Sequence, residues 1–334
     1  MAMAKGDLPG ALAQFEAGVT AAREAGEGDD LGNLLNNVGL VKKSMGDLEG
    51  AESNYLEAVA ETHRTKNLLG EAAALNNLGA ILRARGDSAR ARDLFLRALG
   101  VARVSTDSLT IARALLSIGD FERSQGMHDD AAQAFDQAIE ALHPIDPAAP
   151  EIGLAYLSKG GILQDLGDEA GAQRLYLLAH AQYRKAGDRR GEAGAAMALG
   201  GLALEERRME EAQRYLSEAA PVLREVGALP ELSDALVKLA LVRREAGDLT
   251  GSVTAYREAL DARARMGDAS GAAMIYMNLG SLFEDSGDFA NAGMAYHQAR
   301  EALTAAGDTA AARSATEAVL RMKERGAAAP APPP

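Results

Sequence analysis

Apolar residues along this chain return at steps of three and four. In the stretch from Leu75 to Leu99, Leu75, Leu78, Ile81 and Leu82 fall on one side of a helix, and Ala91, Phe95 and Ala98 fall on one side of the next. Nowhere do apolar and polar residues alternate as in a half-buried strand, so the pattern predicts an all-α chain. Between the two segments stand Gly86 and Asp87. A glycine there can take the left-handed conformation that ends a helix, and an aspartate can accept from the exposed N–H groups that start the next one. Each unit is therefore read as two antiparallel helices joined by a tight turn.

The unit recurs. The turn glycine falls at Gly6, Gly46, Gly86, Gly126, Gly167, Gly247 and Gly287, with Arg207 in the remaining slot, so every step is 40 residues except one of 41. A second series half a period away, at Gly26, Lys66, Thr106, Pro147, Gly187, Gly227, Gly267 and Gly307, keeps the same spacing. Stacked units of this kind share one continuous core, so the length is read as a single solenoid and not as two domains.

Within each unit two small-residue signatures repeat. The first helix carries an apolar-small step, as at Val38-Gly39, Leu78-Gly79, Ile118-Gly119, Leu199-Gly200, Leu239-Ala240 and Leu279-Gly280, with Lys159-Gly160 as the variant. The second helix carries a small-aromatic-small series, as at Ala51-Tyr55-Ala58, Ala91-Phe95-Ala98, Ala131-Phe135-Ala138, Ala172-Tyr176-Ala179 and Ala292-Tyr296-Ala299. A glycine inside a helix costs roughly 1 kcal/mol against alanine, so its recurrence implies close packing of helix axes.

On these residues the chain resembles the tetratricopeptide-repeat family, whose pattern places Leu-Gly in the first helix and A-x3-F in the second. The resemblance implies a right-handed α-α superhelical solenoid. The period exceeds the common unit of about 34 residues, and the usual closing proline is mostly missing. That is similar to the long-helix repeats of kinesin light chains and of the sensor arms of large bacterial transcriptional activators, which bind extended peptide or regulatory ligands in a concave groove.

The register divides the chain into four parts. Residues 1–26 are a partial repeat with a second helix only, residues 27–307 are seven full repeats, residues 308–325 are a capping helix, and residues 326–334 are an Ala- and Pro-rich tail expected to be disordered. The half repeat at the start suggests a missing upstream helix and leaves Leu8, Leu12, Phe15 and Val19 without a covering neighbour. That bare face could pair with a second copy to form a homodimer. The Pro-rich bend from His143 to Pro150 is the expected articulation point, and the turn at Arg207-Arg208, followed by Pro221 inside a helix, is expected to be locally irregular.

Composition narrows the function. A net charge of −13 disfavours nucleic acid, which needs a basic face to release counterions. Without cysteine there is no disulfide, thiolate metal site or cysteine nucleophile. The longest charge-free apolar stretch, Ala193 to Leu204, is too short to span a membrane, so a soluble cytoplasmic protein is expected. No P-loop, GxGxxG, GxSxG, HExxH or EF-hand loop occurs, and the five histidines lie in different repeats. The expectation is a non-catalytic scaffold with no cofactor and no metal.

What remains is the face of the first helices, which in the resembled family lines the groove. The resemblance places there Asn33, Asn36, Asn37 and Lys43 of the first full repeat, Asn76, Asn77 and Arg83 of the second, and Arg113, Ser117 and Arg123 of the third. Further along it places Leu157, Met197, Leu204, Met277 and Asn278. Asparagine is a poor mid-helix residue but can both donate to and accept from a peptide backbone, which makes the two LNN steps the sharpest hint. Lys43, Arg83 and Arg123 recur at one position and could select acidic groups, although a solvated basic stripe would look the same. The leading reading is a scaffold binding an extended peptide. The alternatives are a regulatory sensor arm of a larger protein and a self-assembling module.

Overall fold

The computed structural model describes residues 7–26 and 28–328, and every regular element among them is a helix. The turn expected at Gly6, and residues 329–334 of the expected tail, lie outside the described residues. The chain divides into two compact units, Met1–Gly191 and Glu192–Pro334. The first holds α1 (Leu8–Ala25), α2 (Gly28–Ser44), α3 (Leu48–Thr65), α4 (Leu68–Ala84), α5 (Ser88–Ser105), α6 (Ser108–Ser124), α7 (His128–Leu142), α8 (Pro150–Asp165) and α9 (Glu169–Ala186). It also holds the first residues of α10 (Arg189–Glu205). The second unit continues with α11 (Met209–Glu225), α12 (Leu229–Glu245), α13 (Leu249–Met266), α14 (Ala269–Asp285), α15 (Phe289–Ala305) and α16 (Thr309–Ala328). Even-numbered helices are the first of each hairpin and odd-numbered helices the second.

Local chemistry sets these boundaries. Asp47, Asp87, Asp168, Asp248 and Asp288 stand at the N-caps of second helices, each accepting from the backbone N–H three residues on, as Asp47 does from Gly50 at 2.9 Å. The glycine before each aspartate has positive φ, as at Gly86 (φ 83°). In the first unit the first helices form a row, α2 against α4, α4 against α6 and α6 against α8, while each also pairs with the second helix of its own hairpin.

The small-aromatic signature is what locks each hairpin. A Cβ placed on Gly39 would come 2.7 Å from the Tyr55 ring, one on Gly119 2.6 Å from Phe135, and one on Gly280 2.5 Å from Tyr296. At these positions glycine leaves room for the ring, and the ring is then fully enclosed: Tyr55 and Phe135 expose nothing. Burial of an aromatic side chain contributes about 1.5–3 kcal/mol. In the first unit these contacts merge into one cluster running from Ala51 of α3 to Ile162 of α8.

Five local expectations are corrected. The sixth turn is regular, because Arg207 itself adopts φ 58° and α11 starts two residues later, as α9 and α13 do after their glycines. Pro221 sits inside α11 on its exposed side without ending it. The Pro-rich bend lies within the first unit and is pinned there: Gln182 donates to the carbonyls of Pro147 (3.0 Å) and Ala149 (3.1 Å), and Lys185 to that of Pro147 (2.8 Å). Finally, the face of α1 is not bare. Val19 is buried, and Leu12 and Phe15 pack half-buried on a cluster that includes Leu31, Leu35 and Val38 of α2. At the other end, α16 runs on to Ala328, beyond the expected limit at residue 325.

Candidate functional site

The first-helix face of the first unit gathers most of the polar residues singled out in the sequence. Asn36, Asn37, Asn76 and Asn77 are half-buried and Asn33 is exposed. Adjacent helices are tied by these amides: Asn77 Nδ2 donates to Asn36 Oδ1 at 2.8 Å, and the N-cap residue Asn67 donates to Asn33 Oδ1 at 3.4 Å. Part of the hydrogen-bonding capacity expected for a ligand is therefore spent between neighbouring repeats. Asn76 differs, since its Oδ1 is buried and accepts no hydrogen bond. A buried acceptor without a donor costs about 1–3 kcal/mol. Asn37, with Asn33 and Leu34, lines a cleft of about 440 Å³ against Gly18, Ala21 and Ala22 of α1.

The basic row is less uniform than its sequence pattern. Lys43 and Arg83 are exposed, but Arg123 is bonded twice to Asp165 of the next first helix, at 2.9 Å through Nη2 and 3.3 Å through Nε. The guanidinium of Arg123 lies across Gly161, where a Cβ would come within 2.7 Å of Nη2. In the second unit the ammonium of Lys238 crosses Gly201 in the same way, 2.9 Å from where a Cβ would stand. Arg113 pairs with Glu151 at 2.9 Å, and Ser117 donates to the carbonyl of Arg113 at 3.0 Å.

Between Arg83 and Arg123 sits Asp120. Burial pushes its carboxyl above the ordinary value of 3.8, against the opposing pull of Arg83, a hydrogen bond from Ser158 Oγ at 3.3 Å and the charge of Arg123. The result is a chain of alternating charge, Arg83, Asp120, Arg123 and Asp165, crossing α4, α6 and α8. Its charges balance, so this part of the face does not simply select acid.

Tyrosine hydroxyls make a second set of contacts, which the sequence pattern alone did not single out. Where a tyrosine fills the glycine hole, its hydroxyl in two hairpins reaches the residue four places after that glycine. Tyr176 donates to Gln164 at 2.7 Å, and Tyr296 donates to Glu284 at 2.9 Å. Burial and then the Glu284 bond push Tyr296 up to about 12. Burial works to raise Glu284 as well, but Tyr296, Arg321 and Arg325 outweigh it and hold Glu284 below the ordinary value of 4.5. Tyr55 and Tyr256 have buried hydroxyls with no hydrogen bond.

The apolar candidates divide by use. Leu157 and Met197 are half-buried on their helices. Leu204 packs on Leu216, Leu239 and Val242, and Met277 packs between the clusters around Tyr296 and Leu303, so both serve largely as core of the second unit. Asn278 is half-buried. A signal for the paired charges was present in the sequence: an opposite charge follows about one period plus one residue later, as in Arg123 and Asp165, Arg244 and Asp285, and Glu284 and Arg325. No helix among the described residues is long and apolar enough to cross a membrane.

Antiparallel hairpins locked by a ring in a glycine hole, with a polar row along one helix type, define a helical-repeat protein of the kind that mediates protein interactions. Profiles of the tetratricopeptide repeat match residues 70–142 and 237–306, so the chain carries tetratricopeptide repeats over those segments. No curated protein matches it in sequence. Similar solved structures include BtubC (BKLC) from P. vanneervenii, with a TM-score of 0.57 and 18% identity over 66% of this chain and 92% of that one. A Rap protein complexed with competence and sporulation factor aligns with a TM-score of 0.55 and 14% identity, over 97% of this chain and 99% of that one. A signal transduction ATPase with numerous domains and a tetratricopeptide repeat sensor, from Pyrococcus horikoshii, aligns with a TM-score of 0.64 and 16% identity, over 86% of this chain and 44% of that one. At such identities the likeness is one of fold.

Proposed function

We propose that this chain is a non-catalytic scaffold that receives an extended segment of a partner protein across its first-type helices. The amides of α2 and α4 hold the segment's main chain. The observation that carries the reading is the row of half-buried amides on two successive first-type helices, Asn36, Asn37, Asn76 and Asn77, with Asn37 lining a cleft. An amide side chain can both donate to and accept from a peptide backbone. Lys43, exposed and in no ion pair among the described residues, supplies the positive charge of that face, so an acidic residue on the segment is placed near it. Arg83 faces Asp120, and Arg123 keeps Asp165. The likeness to a Rap protein complexed with competence and sporulation factor agrees with a fold of this kind holding a ligand.

A second reading, a sensor arm of a larger regulator, is favoured by the likeness to the tetratricopeptide repeat sensor of a protein of which the chain spans 44%. Both readings place the ligand on the same face, and a cytoplasmic setting suits either. The test uses peptides selected from a displayed random library on the full chain. Asn76→Ala with Asn77→Ala should weaken selected peptides at least about tenfold, a loss of about 1.4 kcal/mol, with helicity unchanged. Equal affinity for the double variant would reject the face as the binding site.

A further inference from the structure

Beyond the amide face, the second unit carries an apolar seat of another kind. Between α15 and α16 lies a cleft of about 720 Å³ lined by Phe289, Met294, Val319 and Met322, with Arg300 and Lys323 also in its wall. Met294 is 60% exposed. The seat has an internal precedent. Val319, Met322 and Lys323 stand twelve, fifteen and sixteen residues after the left-handed Gly307, as Leu78, Ile81 and Leu82 do after the left-handed Lys66. On α4 those three residues are buried in one cluster with Leu94, Phe95 and Leu99 of α5. The cleft thus has the form of a seat for a second-type helix.

Two features say what kind of helix fits. The side chains lining the cleft include His297, Arg300 and Lys323 and no carboxylate, in a chain of net charge −13. A helix with acidic flanks is the complement. Where α4 offers Gly79 to the ring of Phe95, α16 offers Leu320, which is 54% exposed. The knob and hole are exchanged there, so the occupant carries a small residue where the second-type helices of this chain carry an aromatic. A second copy's α1 is a poor occupant, since its Phe15 stands in the aromatic slot and would meet Leu320.

We propose that the α15–α16 cleft docks one amphipathic helix of a partner protein, acidic on its flanks and small at the position that faces Leu320. Seated helices of this type bury an apolar face in a hydrophobic groove, and methionine side chains adapt to the fit.

The experiment is fluorescence anisotropy with the full chain and a labelled peptide of the α3 sequence, Leu48–Thr65, carrying Tyr55→Ala. That segment is acidic through Glu49, Glu52, Glu57 and Glu61 and already has the shape of a second-type helix. Saturable binding is expected, weakened at least tenfold by Met294→Glu and by Lys323→Glu, both at exposed positions, and weakened by salt. The peptide retaining Tyr55 should bind less tightly, and Leu320→Gly should recover it. Absence of saturable binding overturns the proposal. So does indifference to both surface variants, or self-association of the full chain that Met294→Glu abolishes, which would assign the seat to a second copy. None of these outcomes depends on Asn76 or Asn77, so this seat and the amide face stand or fall separately.

Discussion

Asp120 shows how one side chain carries both cost and specificity. Its carboxyl is titrated upward by burial, so the folded state binds its proton more tightly than the unfolded chain does. The sign follows: below the ordinary value of 3.8 the group is neutral in both states and costs nothing, and the penalty grows as pH rises through its raised folded value. Asp120→Asn, which keeps an acceptor for Ser158, should therefore raise the melting temperature at pH 7 and lose that advantage near pH 3. An unchanged melting temperature at pH 7 would mean that Arg83 and Arg123 fully compensate the burial. Thr106 is a second residue-scale case, holding φ 58° with a β-branched side chain where most of its counterparts are glycine. Thr106→Gly should stabilise by roughly 0.5–1 kcal/mol, measured by urea unfolding. The sequence exposed Thr106 as an odd turn residue, but not the environment of Asp120, because burial of a carboxyl depends on Ser158 and Arg83, each about one repeat away.

At the scale of the hairpin, the fold was legible because its signals are local and repeat. The period of 40, the Gly-Asp turns and the ring in the glycine hole each state the same answer, and the helices follow them. What escaped was pairing between hairpins. Asn77 reads as a ligand-binding amide until Asn36, 41 residues earlier, is found bonded to it. Arg123 reads as a free cation until Asp165 is seen beside it. The bend at His143–Pro150 reads as a hinge because its anchors, Gln182 and Lys185, lie in another helix. The ring-in-hole lock yields a sharp expectation. Gly119→Ala should cost about 1–3 kcal/mol by overpacking, and Phe135→Ala about 3–5 kcal/mol by leaving a cavity. The double variant should cost less than their sum, because a smaller ring site tolerates the added methyl. Strict additivity in chemical denaturation would show that the two residues do not share a contact.

For the whole molecule, repeat architecture makes stability a sum of hairpin terms and nearest-neighbour terms, not one global quantity. A substitution confined to the second unit, such as Gly280→Val against Tyr296, should lower amide protection across α14, α15 and α16 and leave α4, α5 and α6 as protected as before. Uniform loss of protection in hydrogen exchange would show a single cooperative unit. The two proposed surfaces then have separate supports: the amide face rests on the first unit, and the apolar seat on α15 and α16 of the second. The central claim concerns which side of the first unit meets a partner, and photocrosslinking reads that side directly. A benzophenone residue placed at Ala80, on the first-helix face of α4, should crosslink to a library-selected peptide, while one placed at the exposed Leu56 of α3 should not. Crosslinking from Leu56 with none from Ala80 would contradict the account.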